Sequence, residues 1–170
     1  MSFYSELFTG TTLAFSQEQQ RILTSLLLEG YQWIIWRGYW DVNALNRQLF
    51  RNADIDKGFS LLFAAHSLMK SSEPEVADQI KKMILRNSSF SQVPNSFTGN
   101  KHFRESDYTV HRTPTWLASV RMASERVIGT ELVNEDNLKG YYMADGALYT
   151  YVYGDEYHNI CLLYTSDAAD

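Results

Sequence analysis

The stretch PTWLASVRMASERVIGTELVNEDNLKGYYMADGALYTYVY, residues 114–153, decides the fold class, because its first apolar residues recur every second position. Trp116, Ala118, Val120 and Met122 alternate with Leu117, Ser119 and Arg121, the pattern of a half-buried strand. Further on, residues 141–144, the Asp145-Gly146 pair and residues 148–153 predict a hairpin with Tyr149, Tyr151 and Tyr153 on one face. Between strand and hairpin lies a loop holding Glu131, Asn134, Glu135, Asp136, Asn137 and Lys139. Solvated loops are often polar, so on its own this composition requires no chemistry.

Upstream, the apolar period becomes helical. Ser16-Gln17-Glu18-Gln19 fits a capping box, and Ile22, Leu23, Leu26 and Leu27 follow on one predicted face that Trp33 extends. Gly30 weakens this helix and Gly38 is expected to end it. A second helix is predicted over 58–70 with Leu61, Leu62, Ala65 and Leu68 buried. His66, beside that stripe, is read as a packed, hydrogen-bonded histidine rather than a ligand. Ser72-Glu73-Pro74-Glu75 combines a capping box with an early proline, and Val76, Ile80, Met83 and Ile84 keep helical spacing behind it. Serine, asparagine, glycine and proline then dominate residues 87–100, the composition of a crossing. Helices followed by strands imply an α+β chain: a helical domain over 1–90, a crossing over 91–107 and a β-domain over 108–160.

The last ten residues, CLLYTSDAAD, contain the only cysteine, Cys161, and interrupt the tyrosine-rich pattern. They resemble one reading frame of the adapter used in transposase-based sequencing libraries, so 161–170 is read as a non-native tail. Formal charge is −5 over all 170 residues, and about −3 once Asp167 and Asp170 are set aside. Without Cys161 no disulfide or thiol chemistry is left. Acids and bases are interleaved, which argues against a nucleic-acid arm, and no apolar run reaches membrane-spanning length. No signal peptide is visible at the start. Aromatic residues reach 14%, with eleven tyrosines and four tryptophans. Flat amphipathic side chains of this kind suit sugar rings as well as cores.

His66, His102, His111 and His158 have no zinc-ligand spacing, and no phosphate loop or serine elbow is present. Carboxylate pairs for glycoside hydrolysis can be drawn from Glu131, Glu135 and Asp136, as from any acidic loop. More informative are Arg47 and Arg51, four residues apart on one side of a predicted turn, with Trp36, Trp40 and Phe50 nearby as flat apolar surface. Guanidinium forks suit carboxylates and sulfates, and aromatic faces suit pyranose rings.

GYQWIIWRGYWDVNALNRQLFR (residues 30–51) resembles the end of the helical domain in polysaccharide lyase family 8, which includes chondroitin, hyaluronan and xanthan lyases. In that family a GR-x-x-x-R signature closes the active-site side of an incomplete α/α toroid. Residues 99–160 resemble the opening of the family's central antiparallel β-sandwich, including its E-x-x-N-x-E-N-x-K-G loop. The resemblance implies Arg47 as the catalytic arginine, Arg51 and Asn134 as substrate contacts, and Glu131 as the acid that orients the catalytic machinery. Trp36 and Trp40 are expected to offer sugar-binding faces. Two departures stand out: Asn46 replaces the usual glycine before the first arginine, and Asn134-Glu135-Asp136-Asn137 replaces the usual N-G-E-N. Either alters the loop, since glycine reaches backbone angles that asparagine reaches less easily and aspartate rarely.

The chemistry implied is β-elimination at a uronic acid. The C5 proton becomes removable once donors neutralise the neighbouring carboxylate; a base then takes it and an acid protonates the leaving oxygen. The family's asparagine, histidine and tyrosine for these steps precede the matching stretch, and Tyr4 lacks the expected tyrosine-glycine context. The chain is therefore read as an internal fragment of a secreted or periplasmic bacterial lyase, inactive alone. Its partner would be an anionic polysaccharide, with no nucleic acid, membrane or protein partner and no cofactor. Structural calcium in the full-length protein is left open. Rival readings are a xanthan lyase of the same family, a non-catalytic carbohydrate-binding protein, and a purely structural fragment in which Arg47 and Glu131 lie far apart.

Overall fold

The computed structural model describes residues 1–45, 52–88, 95–127 and 144–158. It contains five α-helices among these residues: α1 (Ser2–Leu7), α2 (Gln17–Ser25), α3 (Val42–Leu45), α4 (Asn52–Lys70) and α5 (Pro74–Asn87). A two-stranded hairpin joins β1 (Ile35–Trp36) to β2 (Tyr39–Trp40). A four-stranded antiparallel sheet runs in the order β3 (Gly99–Phe103), β4 (Tyr108–Arg112), β5 (Leu117–Met122), β6 (Asp145–Tyr151). The architecture is α+β, as the change of period predicts.

The capping box at α2 forms as read. Gln19 N–H donates to Ser16 Oγ at 3.3 Å, and Ser16 N–H to Gln19 Oε1 at 2.9 Å. The buried face differs from the expected one. Ile22 and Leu26 are half exposed while Leu27 and Leu28 are buried, because a π-turn over Leu26–Gly30 rotates the chain between α2 and its continuation. Gly38 does not end this helix. It occupies the β1–β2 turn beside Arg37, with φ of 89° and 50° respectively, the double positive-φ requirement of a type I′ hairpin.

Further readings are corrected. Helix α4 begins at Asn52, six residues before Gly58, and His66 on it is exposed rather than packed. At α5, Pro74 occupies the first turn and Glu73 the cap without a side-chain bond, while the Ser72 hydroxyl donates to Leu68 O at 2.6 Å. That serine closes α4 and so is unavailable to open α5. The Asp145-Gly146 pair lies inside β6, where Arg121 pairs with Ala147 and Met122 with Asp145, so Gly146 (φ 84°) is the extra residue of a bulge. The preceding arm, 141–143, and the tail 161–170 lie outside the described residues, as does 89–94 of the crossing. Strand β3 uses residues 99–103, which composition alone assigns to that crossing.

Two apolar cores meet at one strand. Leu27, Leu28, Ala65, Leu68, Ile80 and Met83 form the helical core and include Ile35. Tyr108, Val110, Leu117 and Tyr151 form the sheet core and include Trp36. Adjacent residues of a strand point to opposite faces, so β1 serves both.

Candidate active site at the helix–sheet junction

The junction is built on residues directly after β2. Asp41 is 1% exposed, and its carboxylate accepts the hydroxyls of Tyr108 (Oδ2, 2.5 Å) and Tyr151 (Oδ1, 2.8 Å). Tyr151 Oη also accepts Val42 N–H at 2.6 Å, and Asn43 donates through Nδ2 to Ser119 Oγ (2.9 Å) and Ala147 O (3.1 Å). Strands β4, β5 and β6 thus all grip the start of α3. Burial pushes the Asp41 pKa up, against hydrogen bonds from Tyr108, Ser119 and Tyr151 that lower it. Burial, then the Asp41 charge, raises Tyr108 and Tyr151 well above the ordinary tyrosine range. Both hydroxyls are therefore held as protonated donors to one buried carboxyl.

A second tie lies beneath. Arg112, 1% exposed, donates through Nη1 to the carbonyls of Gln32 (3.0 Å), Trp33 (3.1 Å) and Ile35 (2.9 Å). Its guanidinium stacks 5.1 Å from the Trp36 ring and 5.2 Å from Phe97. Burial, followed by repulsion from Arg86, lowers its pKa to about 9, so it remains charged at neutral pH. This cation satisfies the carbonyls where the helical turns give way to β1.

The expected site residues fall unevenly on this frame. Trp36 is 1% exposed and donates from Nε1 to Val152 O at 3.1 Å, so it is a core residue and offers no sugar-binding face. Trp40 is half-buried, with its ring edge-on to Tyr31 at 5.7 Å. Arg47, Arg51, Glu131 and Asn134 lie outside the described residues, together with Asn46, Glu135 and Asp136. The described residues fix what leads to them: α3 stops at Leu45 and α4 starts at Asn52, while Val127 and Ala144 bound the acidic loop. Sequence reasoning missed Asp41, Asn43, Tyr108 and Ser119. The one available signal was a lone acid in the aromatic run WRGYWDV.

Among the described residues no group of three or more His, Cys, Asp or Glu is arranged to hold a metal, and no helix is long and apolar enough to cross a membrane. A cavity of about 510 Å³ between the α1–α2 connection and the start of α5 includes no residue of the sheet or of α3.

Residues 98–165 match the profile described as polysaccharide lyase family 8, super-sandwich domain. Chondroitinase-AC of Pedobacter heparinus is 31% identical over 153 residues, 88% of this chain and 21% of that protein. The chain belongs to polysaccharide lyase family 8. A hyaluronate lyase of Thermasporomyces composti is 40% identical over 57 residues, 34% of this chain and 7% of the relative. Among solved structures, a chondroitinase AC lyase studied as enzyme–oligosaccharide complexes superposes with a TM-score of 0.78 at 26% identity, covering 92% of this chain and 23% of that one. The family 8 chain thus spans about a fifth of the length of the chondroitinase it matches.

Proposed function

We propose that this chain forms one part of a polysaccharide lyase that cleaves a uronic-acid polysaccharide, chondroitin sulfate or hyaluronan, by β-elimination. In this reading the helices are the end of a toroid and the sheet opens a β-sandwich. The observation that carries it is the Asp41 network. The segment running into Arg47 and Arg51 is bound to the strands on either side of the Glu131 loop, so both loops depart from one junction.

Arg47 and Arg51 would meet the substrate carboxylate or sulfate, and Glu131 would hold neighbouring donors while charge develops on the carboxylate. Proton abstraction and leaving-group protonation belong to the family's histidine and tyrosine, which the resemblance puts upstream of the matching stretch. The substrate's location implies a secreted or periplasmic enzyme.

The test is turnover of the full-length enzyme, followed by ultraviolet absorbance of the unsaturated product. Arg47→Ala and Glu131→Ala are each expected to reduce kcat/KM by at least about a hundredfold, roughly 2.7 kcal/mol, with the fold intact. Glu135→Ala should cost little. The 170-residue chain alone should yield no product from either polymer. Steady product from it, or Glu135→Ala as damaging as Glu131→Ala, would overturn the residue assignment.

A further inference from the structure

A cavity of about 360 Å³ opens between the helical turns after α2, the start of α3 and the sheet, with Tyr31, Asn43, Phe103, Ser106, Tyr108 and Arg121 among its lining. Arg121 is half-buried, and its Nε is shielded from solvent with no hydrogen-bond partner. It forms no ion pair among the described residues. The two other arginines that burial perturbs are engaged: Arg112 binds three carbonyls, and Arg86 donates to Gln32 Oε1 at 3.1 Å. Arg121 alone of the three makes no hydrogen bond through any guanidinium nitrogen among the described residues, although Arg86 Nε and Arg112 Nε and Nη2 also lack partners. Burial lowers its pKa, as expected where no counter-charge offsets desolvation.

The rest of the lining suits a sugar. Asn43 spends both amide hydrogens on Ser119 and Ala147, which fixes its oxygen as an oriented acceptor for a hydroxyl. Ser106, whose hydroxyl donates to Phe103 O at 3.3 Å, adds a second acceptor, and Tyr31, Phe103 and Tyr108 supply apolar ring surface. The volume sits at the low end of small-molecule sites, the scale of a sugar ring with its substituents. A guanidinium fork in such a place selects a carboxylate or sulfate.

We propose that this cavity is a binding subsite for one anionic sugar unit, a uronate or a sulfated hexosamine, whose acidic group is held by Arg121 against the aromatic lining. The inference rests on the lyase reading and deepens it: the polymer gains a contact separate from Arg47 and Arg51, on the strand that leads toward the Glu131 loop. An arginine whose stem merely covers the sheet would need no aromatic cavity beside it.

The experiment titrates the isotopically labelled chain with a sulfated chondroitin disaccharide, a hyaluronan disaccharide, cellobiose and inorganic sulfate, following arginine Nε–H resonances. The Arg121 signal, assigned by its loss in Arg121→Lys, should shift with the sulfated disaccharide or the hyaluronan disaccharide and stay fixed with cellobiose. A shift with the sulfated disaccharide alone identifies sulfate as the bound group, and a shift with both charged sugars identifies the uronate they share. Arg121→Gln should weaken that sugar by about tenfold or more, and Arg121→Lys, which keeps the charge without the fork, by less. Unchanged affinity in a folded Arg121→Gln, an unmoved signal, or sulfate alone binding as tightly as the sugars would overturn the subsite. If Arg121→Gln does not fold, the wild-type resonance and Arg121→Lys decide. A silent Arg121 together with an inactive Arg47→Ala enzyme removes this subsite and leaves the lyase reading standing. A responsive Arg121 in an enzyme that makes no unsaturated product does the reverse.

Discussion

At the scale of single residues, the junction depends on a carboxyl with no cationic partner among the described residues. Desolvation favours the protonated form of Asp41, so its folded pKa lies above the ordinary 3.8. A group whose folded pKa is raised binds its proton more tightly in the folded state. Its stabilising contribution is full below pH 3.8 and is lost as pH rises through the folded value. Asp41→Asn removes that titration at nearly constant shape. The melting temperature of the wild type minus that of the variant should therefore fall as pH rises above 3.8. A difference flat across that range would mean that Asp41 titrates as an ordinary surface carboxyl. Tyr151→Phe tests the same knot without changing charge. It strips a donor from Asp41 Oδ1 and the acceptor from Val42 N–H, both buried, and should cost about 1–3 kcal/mol in urea unfolding. A loss near zero would show that water or another group replaces the hydroxyl.

At the scale of elements, the turn of the hairpin between the two cores meets α4 at close backbone range. A Cβ on Gly58 of α4 would run into the Gly38 carbonyl, and one on Gly38 would strike the Phe59 ring. Helix α4 can approach the β1–β2 turn only because both positions are glycine. Gly58→Ala, which raises helix propensity, should nonetheless destabilise the chain by about 1–3 kcal/mol, because overpacking against backbone outweighs the helical gain. A stabilised variant would show that the turn can retreat. Such contacts also explain what the sequence makes legible. Ser16 and Gln19 form their capping box because every partner lies within three residues, and the period of two announces β5 for the same local reason, although the buried face is that of Leu117 and Ser119 rather than that of Trp116 and Met122. Ser72 offers an equally good signal yet bonds backward to Leu68, since Pro74 sets where α5 begins. Asp145-Gly146 has turn chemistry but becomes a bulge, because its role depends on register with Arg121 and Met122. Asp41 was invisible as a site residue: its partners Tyr108 and Tyr151 lie 67 and 110 positions away. Resemblance to a family names Arg47 and Glu131, but only tertiary structure reveals the joint from which their loops depart.

At the scale of the whole molecule, the composition of the crossing suggests two separable domains, whereas the structure ties the helical and sheet cores together. Ile35 belongs to one core and its neighbour Trp36 to the other. Arg112 of β4 caps the turns before β1, and Asp41 is gripped by β4 and β6. Lys101 of β3 adds an exposed ion pair to Glu29 at 3.0 Å, which contributes little by itself. Unfolding either half alone would expose Trp36 or Ile35 and leave the Arg112 charge or the Asp41 carboxyl buried without its donors or acceptors. That penalty couples the halves, as broken buried polar networks do. The chain is therefore expected to melt in one transition, with helical circular dichroism near 222 nm and tryptophan fluorescence giving midpoints within about 2 °C of each other. Arg112→Met should separate them. It keeps an apolar stem over Trp36 but strands the carbonyls of Gln32, Trp33 and Ile35, so the strongest stitch between the cores is lost while each core keeps its own packing. Two transitions already present in the wild type would mean that the junction is too weak to act as a single joint. The Asp41 network could not then hold the Arg47 and Glu131 loops in register, and the lyase reading would lose the observation that carries it.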